Sequence, residues 1–245
     1  MDSSIESDTN VMRAVTFDFG QTLAELDHDY LVRRAHSFGA ELDSVAARAA
    51  TVAAWHAYGS AKSLGHARAW QAMMLELLRA GGVRKVRAES ADPEYPEKIA
   101  QLLWDAQPTH NLWRKPIAGM FELVAELGAR QVPVGIISNS EGRLAELVDE
   151  LGHSALFPVI IDSGRVGVDK PNPRIFELAS EALDVELSQI VHVGDAWEAD
   201  VLGARAAGAQ AVWYAPTDDR SLPEGVVACR NAAELRAALR TFGVC

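Results

Sequence analysis

The sequence predicts an α/β protein with a doubly wound parallel sheet (a Rossmann-like core) and an inserted, all-helical domain. Two observations lead to this prediction. Short buried strands alternate with amphipathic helices through the second half of the chain, which is typical of a parallel sheet covered on both faces. A long region of helical periodicity, without a convincing strand, separates the first strand from this alternation. Because the first strand must rejoin the sheet, we expect the helical region to close over the core as a cap.

The core begins with a short apolar strand that includes Val15 and Phe17. It ends at Asp18, where Gly20 and Thr22 indicate a turn. The later alternation predicts strands at 132–137, 157–161, 190–193 and 211–214, and helices starting at Pro116 and covering 143–151, 173–183, 199–207 and 232–239. Right-handed crossover connections leave few other topologies for such an order.

The insert contains several helices with apolar faces. One predicted face is Trp70, Met74, Leu77 and Leu78, and another is Val45, Ala49, Val52 and Trp55. The predicted organisation is therefore a disordered tail at 1–10, a catalytic core formed by 11–26 and 114–245, and a helical cap at 27–113.

Composition excludes several classes of function. Of the 245 residues 49% are hydrophobic and 23% are charged, as is usual for a soluble globular enzyme. The net charge of −11 disfavours nucleic acid and anionic membranes as partners. The two cysteines, Cys229 and Cys245, provide no disulfide framework, and the polar first ten residues do not form a secretion signal. We expect a cytoplasmic protein, and the oligomeric state stays open.

Four polar clusters fall at the ends of the predicted core strands or in loops. They are Asp18, the pair Ser138 and Asn139, Lys170, and Asp195 with Asp200. Each has a structural explanation when it is taken alone. The stretches 138–141 and 195–198 match a helix capping box, and Asp200 fits a solvated helix face. The combination of all four is harder to explain structurally.

Phosphoryl transfer explains the combination. The reaction needs a nucleophile, positive charge for the phosphate oxygens and an in-line geometry. Asp18 is a nucleophile that forms an acyl phosphate, which water then hydrolyses. Asp18 and Asp195 would supply oxygen ligands to Mg²⁺. Lys170 would neutralise negative charge, and the Ser138 hydroxyl would donate a hydrogen bond to the phosphate.

The four clusters resemble the four motifs of the haloacid dehalogenase superfamily, most of whose members are magnesium-dependent aspartyl phosphatases. The resemblance rests on the stretches 18–23, 136–139, 170–176 and 193–208, and on a helical insert between the first two. It implies a nucleophilic Asp18, with Ser138 and Lys170 as its catalytic partners and Asn139 as a substrate-binding residue. It also implies Mg²⁺ held by Asp18, Asp195 and the Gly20 carbonyl, with Asp200 behind these ligands, and a small phosphate ester as substrate.

The first motif departs from the superfamily pattern at Gly20. Relatives carry a second aspartate there, which protonates the leaving group and then activates water, and Gln21 stands where glycine is usual. General acid–base assistance contributes about 10²–10⁴-fold to a rate, so its loss would weaken hydrolysis of alkyl phosphates. We expect Gly20→Asp, best combined with Gln21→Gly, to restore activity on alkyl phosphates selectively.

The missing aspartate leaves alternative functions open. Haloacid dehalogenases also lack it, but they lack the paired acids Asp195 and Asp200, and they carry a tyrosine where Phe176 stands here. Phosphonoacetaldehyde hydrolase cleaves a carbon–phosphorus bond with a cap lysine, for which Lys62 is the candidate. A third alternative is a protein that binds a phosphorylated ligand without turnover.

The source of the missing proton also stays open. The insert contains the histidines His28, His36, His56, His66 and His110, and nothing in the sequence ranks one above the others. Asp27, His28 and Asp29 are the polar insert residues nearest in sequence to Asp18. We expect this short stretch to line the site entrance.

Overall fold

The structure is a computed structural model that describes residues 12–86, 92–215 and 218–244. The predicted tail at 1–10 and Cys245 lie outside the described residues. The chain forms two compact units. The core unit contains the residues up to Glu25 and from Trp113 onward, and the insert unit is Leu26–Leu112. Assigning these units the roles of catalytic core and cap stays a prediction.

The strands form one large sheet and two small ones. Numbered along the chain, they are β1 Ala14–Phe17, β2 Ala24–Leu26, β3 Ala40–Glu41, β4 Arg84–Lys85, β5 Trp113–Pro116, β6 Val134–Ser138, β7 Val159–Asp162, β8 Ile190–Gly194, β9 Gln210–Tyr214 and β10 Val226–Cys229. The large sheet has the order β10-β9-β8-β1-β6-β7, and its strands run parallel. The register aligns Val15 of β1 with Val134 of β6 and Val191 of β8.

The helices are distributed between the two units. The insert unit holds α1 His28–Ser37, α2 Ser44–Ala49, α3 Thr51–Ala61, α4 His66–Ala80 and α5 Tyr95–Ala106, and the core unit holds α6 Met120–Ala129, α7 Leu144–Glu150, α8 Ser163–Val166, α9 Pro173–Leu183, α10 Gly203–Ala207 and α11 Ala232–Thr241. None of the helices in the described ranges has the length and apolar character that a membrane crossing requires.

Apolar layers cover the large sheet on both faces, which confirms the predicted doubly wound fold. One layer packs Val15 and Phe17 against residues of α6 and α11. The other packs Ala14 against residues of α9 and α10. β1 is buried along its whole length because it lies between β8 and β6 under both layers.

In its described residues, 26–86 and 92–112, the insert unit consists mainly of helices and contains one two-residue ladder, the antiparallel pair β3–β4. The predicted apolar face of α4, which includes Trp70 and Met74, is buried. The face predicted from Val45 and Val52 is wrong, because these side chains are 76% and 83% exposed. α2 and α3 instead bury the small residues Ala47 and Ala54, which lie on a different face of the two helices. The sequence pattern had assumed one continuous helical face.

The return of the chain from the insert also differs from the prediction. Pro116 was expected to start a helix, but it ends strand β5, which pairs with β2. A proline at the end of a strand leaves no ladder donor missing. The helix α6 begins only at Met120, after Gly119 with a φ of 80°. The chain therefore enters and leaves the core unit as neighbouring strands.

Candidate active site

Asp18 directly follows β1, and one oxygen of its carboxylate accepts two side-chain hydrogen bonds. Its Oδ1 accepts a hydrogen bond from Ser138 Oγ at 2.9 Å and one from Lys170 Nζ at 2.7 Å. Its backbone N–H donates to Val193 O in β8. Among the described residues both side-chain donors bind Oδ1, so Oδ2 is the oxygen available to a ligand. The predicted nucleophile and its two predicted partners are thus brought together at the carboxyl edge of the sheet, where such folds bind ligands.

Lys170 is buried among oxygen atoms. Its Nζ lies 2.6 Å from Asp200 Oδ1 and donates to Ile137 O at 2.7 Å. Asn139 fixes the backbone at this residue, since its Nδ2 donates to Lys170 O at 3.1 Å and its Oδ1 accepts from Lys170 N at 2.8 Å. Asn139 therefore positions Lys170, and its predicted contact with substrate stays a prediction.

Asp195 and Asp200 complete a cluster of three carboxylates with Asp18. One oxygen from each lies within 4.8 Å of the others. Asp200 is 1% exposed, and its Oδ2 accepts from Ala196 N at 2.8 Å, so it does not lie on a solvated helix face. Three carboxylates and one ammonium leave a formal charge of −2 in the cluster. Carboxylate oxygens with this excess charge suit a hard divalent cation.

Burial and the neighbouring charges shift the pKa values of all three carboxylic acids in the cluster. Burial, followed by the charges of Asp18 and Asp200, raises the pKa of Asp195 well above its usual value. Burial raises the pKa of Asp18 despite its contact with Lys170. Burial opposes ionisation of Asp200 as well, but the charges and hydrogen bonds of Lys170 and His192 together outweigh burial and lower the pKa of Asp200. The two carboxylates that the resemblance assigns to Mg²⁺ are therefore the two whose ionised forms are disfavoured without a cation.

A buried polar chain behind Asp200 was missed by the sequence analysis. His192 Nε2 lies 3.4 Å from Asp200 Oδ1, and His192 Nδ1 lies 2.9 Å from Thr16 Oγ1. Burial lowers the pKa of His192, which favours the neutral ring. Both residues interrupt otherwise apolar strands, and that interruption was the signal available in the sequence. Phe176 packs edge-on to this histidine, with 5.2 Å between ring centroids.

Two further residues support the loop that carries Asp195. Gly194 leaves space for Asp200, because a Cβ added there would overlap the Asp200 carboxyl group. Trp213 Nε1 donates to Asp195 O at 2.9 Å. These contacts link the last motif to strands β8 and β9, so the position of the Asp195 loop depends on packing between neighbouring strands.

The capping explanation for Ser138 is not supported by the observed hydrogen bonds. The N–H groups of Gly142 and Leu144 donate to Asp162, which ends the neighbouring strand β7. The Ser138 hydroxyl donates to Asp18 instead. Ala196 is the N-cap of the π-helical turn Trp197–Leu202, and it makes no side-chain capping bond. Ser138 and Asp195 therefore belong to the carboxylate cluster around Asp18 rather than to helix caps.

Gly20 lies beside an aromatic ring. A Cβ added at Gly20 would lie 3.3 Å from Trp113 Cδ1 and 3.7 Å from Trp113 Nε1. Gly20 itself does not have a positive φ, whereas Gln21 has a φ of 58°. The strained backbone thus lies at the position where glycine is usual in relatives.

The polar residues expected near the entrance have contacts within the insert unit. Asp27 caps α1 by accepting from Tyr30 N at 2.8 Å. His28 Nε2 lies 3.0 Å from Thr51 Oγ1. Lys62 begins the short 3₁₀ helix Lys62–Leu64, and its side chain lies outside the description. A role at the site entrance stays a prediction for Asp27, His28 and Asp29.

Comparison with known proteins identifies similar chains over most of this sequence. A family model described as haloacid dehalogenase-like hydrolase matches residues 12–208. The haloacid dehalogenase-like hydrolase domain-containing protein 3 of Bos taurus is 27% identical over 207 residues, covering 80% of this chain and 79% of its own. A phosphoserine phosphatase of Thermus thermophilus is 31% identical over 137 residues, covering 54% of this chain and 53% of its own.

A solved structure extends the similarity to the fold. The HAD-hydrolase YfnB of Bacillus subtilis, in a crystal form bound to magnesium, superimposes with a TM-score of 0.66. The alignment covers 94% of this chain and 99% of that one, at 20% sequence identity. At this level of identity the similarity shows a shared fold.

Proposed function

Because the chain belongs to the haloacid dehalogenase-like hydrolases, we propose that it is a magnesium-dependent phosphatase that hydrolyses a small phosphate monoester through Asp18. The observation that carries the proposal is that both side-chain donors to Asp18 bind the same carboxylate oxygen, Oδ1. Ser138 and Lys170 bind its Oδ1, and the other two carboxylates of the cluster lie nearby. Phosphatases among the relatives support the same class of substrate.

The reaction is a double displacement at phosphorus. The Asp18 carboxylate attacks phosphorus, the bond from phosphorus to the leaving oxygen breaks, and an aspartyl phosphate forms. Water then attacks this phosphorus, which releases inorganic phosphate and regenerates the carboxylate. Lys170 offsets the negative charge of nucleophile and phosphate, and the Ser138 hydroxyl donates a hydrogen bond in the same region. Asn139 keeps Lys170 in place by binding its main chain.

The donor set of the core unit fits Mg²⁺. Asp18, Asp195 and the Gly20 carbonyl would hold the ion, and Asp200 would orient the cluster through its bonds to Ala196 and Lys170. Bound Mg²⁺ supplies positive charge that lets anionic carboxylates and an anionic phosphate approach one another. The raised pKa of Asp195 supports this assignment, because a bound cation would offset both the burial of its charge and the repulsion from Asp18 and Asp200.

The test is phosphate release from a panel of phosphate esters, measured with Mg²⁺ and with a chelator. We expect activity that depends on Mg²⁺ and is abolished in Asp18→Asn. The matched control is Asp149→Asn, an exposed carboxylate of α7 bonded to Ser154, which should leave the rate unchanged. Activity that survives in Asp18→Asn would contradict the covalent mechanism.

The alternatives are outcomes of the same experiment. A protein that binds phosphate esters tightly in calorimetry but releases no phosphate would be a binding protein. Cleavage of a phosphonoaldehyde with a borohydride-trapped adduct at Lys62 would indicate carbon–phosphorus chemistry, which no described contact of this chain favours. A cytoplasmic location, expected from the few cysteines, remains part of the proposal.

A further inference from the structure

The indole of Trp113 borders the space that a side chain at position 20 would enter. Trp113 begins β5, and its five-membered ring faces Gly20 through Cδ1, Nε1 and Cγ. A Cβ contact of 3.3 Å is tight, so the ring would have to yield by a few tenths of an ångström to any larger residue. The ring is half-buried, which leaves part of it accessible to a ligand. Both residues belong to the core unit.

This aromatic ring lies close to the nucleophile. Two residues of extended chain span at most about 7 Å, so Gly20 lies within that distance of Asp18. The polar partners of Asp18 are Ser138, at the end of β6, and Lys170, in the turn before α9, and both bind its Oδ1. The segment from Asp18 to Gly20 therefore ends beside the aromatic ring of Trp113. The Asp18 carboxylate itself contacts the polar side chains of Ser138 and Lys170.

We propose that Trp113 determines the leaving-group specificity of this site, which favours aryl and acyl phosphates over alkyl phosphates. The inference rests on the proposed phosphatase function. When the bond from phosphorus to the leaving oxygen breaks, its electron pair stays on that oxygen. An indole offers no acidic proton at neutral pH, so an alkoxide formed there is not neutralised by position 20 or by Trp113. Aryloxide and carboxylate groups delocalise the charge and depart without a proton.

The indole also contributes to binding. A flat aryl group packs well on an indole edge or face, whereas a small hydroxylated alkyl group gains little from such contact. Both effects act in the same direction. They predict a substrate with an aromatic or acyl leaving group, and they assign the obstacle at position 20 to Trp113, since the Gly20 backbone has no positive φ.

The experiment measures kcat/KM for p-nitrophenyl phosphate, acetyl phosphate and glycerol phosphate with saturating Mg²⁺. Four forms of the full chain are compared, namely the unaltered protein, Gly20→Asp, Trp113→Ala and the double variant. We expect the unaltered protein to prefer the aryl and acyl substrates by about 10²-fold or more, the size of missing acid assistance. Gly20→Asp alone should gain little on the alkyl substrate, and the double variant should gain at least about tenfold on it, within the same range.

The ratio of kcat/KM on the aryl substrate to kcat/KM on the alkyl substrate distinguishes a specificity role of Trp113 from a purely structural one. Trp113→Ala should lower this ratio, whereas Trp113→Phe, which keeps a flat ring and disturbs the fold less, should retain most of it. Equal losses on all three substrates in both variants would overturn the inference and assign Trp113 a structural role. A full gain on glycerol phosphate in Gly20→Asp alone, or no aryl preference in the unaltered protein, would also overturn it while leaving the phosphatase proposal intact. Absence of phosphate release from every substrate would refute the phosphatase proposal itself.

Discussion

The two sides of Asp18 are built differently. On one side Ser138, Lys170 and Asp200 form a buried set of polar contacts between 2.6 and 2.9 Å, backed by His192. On the other side, a Cβ added at Gly20 would lie 3.3 Å from Trp113 Cδ1. The first side is formed by residues on or after several strands of the large sheet, and the second includes Trp113 of the two-stranded β2–β5 sheet.

The polar side and the aromatic side of Asp18 differ in how much structural variation each tolerates. Buried charges are tolerated only when partners satisfy them, so the polar side has one low-energy arrangement and little freedom to vary. Packing against an aromatic ring is less directional, and it tolerates changes of similar size. The side to which we assign the phosphoryl group is therefore fixed, and the side to which we assign the leaving group has more freedom to vary.

Removing the buried ammonium should have the largest effect. Lys170→Met leaves Asp18 and Asp200 as buried carboxylates without their counter-charge, and we expect a loss of about 3–5 kcal/mol in the free energy of unfolding without metal. Urea unfolding at pH 7 with a chelator measures it. The control is Lys115→Met, an exposed lysine 2.6 Å from Glu25 Oε1, which should lose much less because water screens the pair. Similar losses in both variants would contradict the assigned role of Lys170.

Adding Mg²⁺ should stabilise the polar side. A ligand at one hundred times its dissociation constant raises the free energy of unfolding by about 2.7 kcal/mol. Asp195→Asn should lose this gain, and it should be more stable than the unaltered protein in the absence of metal. The pKa of Asp195 is raised in the fold, so its ionised form at pH 7 opposes folding, and the neutral amide removes this cost. Thermal melting with and without Mg²⁺ measures both effects.

Two outcomes would refute the metal assignment. One is an unchanged melting temperature on addition of Mg²⁺ to the unaltered protein. The other is an equal Mg²⁺-dependent shift in Asp195→Asn. The exposed control Asp149→Asn should keep the full shift.

Crowding the polar side through its backbone should have an intermediate effect. Gly194→Ala adds a methyl group where the Asp200 carboxyl lies, and overpacking of this kind costs about 1–3 kcal/mol. We also expect a marked loss of phosphate release, because Asp200 must move from Lys170. The control is Gly128→Ala in α6, where an added Cβ meets nothing within 4 Å and should stabilise the helix by about 0.5–1 kcal/mol. An active Gly194→Ala variant of normal stability would rule out this packing argument.

The smallest effect is expected on the side of the aromatic ring. Gln21 has a φ of 58°, which costs a residue with a side chain about 1–2 kcal/mol. Gln21→Gly removes this strain but adds about 0.5–1 kcal/mol of chain entropy, so we expect a net gain of about 0.5–1 kcal/mol in unfolding free energy. Gln21→Ala keeps the Cβ and should gain nothing. If the alanine variant is stabilised as much as the glycine variant, backbone strain is not the cause.

The fold could be predicted from the sequence where each element has a local signal. α9 begins and ends where it was predicted, at Pro173 and Leu183, because proline at the start and the apolar period define it. The predictions failed where a signal depended on neighbours. Val52 was assigned to an apolar face, but α2 and α3 bury Ala47 and Ala54 and leave Val52 exposed. Trp113 was assigned to the end of the helical cap and Pro116 to the start of a helix, because their pairing with β2 is not visible in their own sequence.

The sequence alone determined the carboxylates, the lysine and the serine of the site, since strand ends and motif spacing bring Asp18, Ser138 and Asp195 to one edge of a parallel sheet. It also determined that position 20 lacks a carboxyl group. Only the tertiary structure decided that Trp113 takes that space, that Asn139 holds Lys170, and that His192 stands behind Asp200. The physical reason is that these contacts join residues far apart in the chain. Local propensity fixes which residues end each strand, and packing alone fixes which side chains meet beyond those ends.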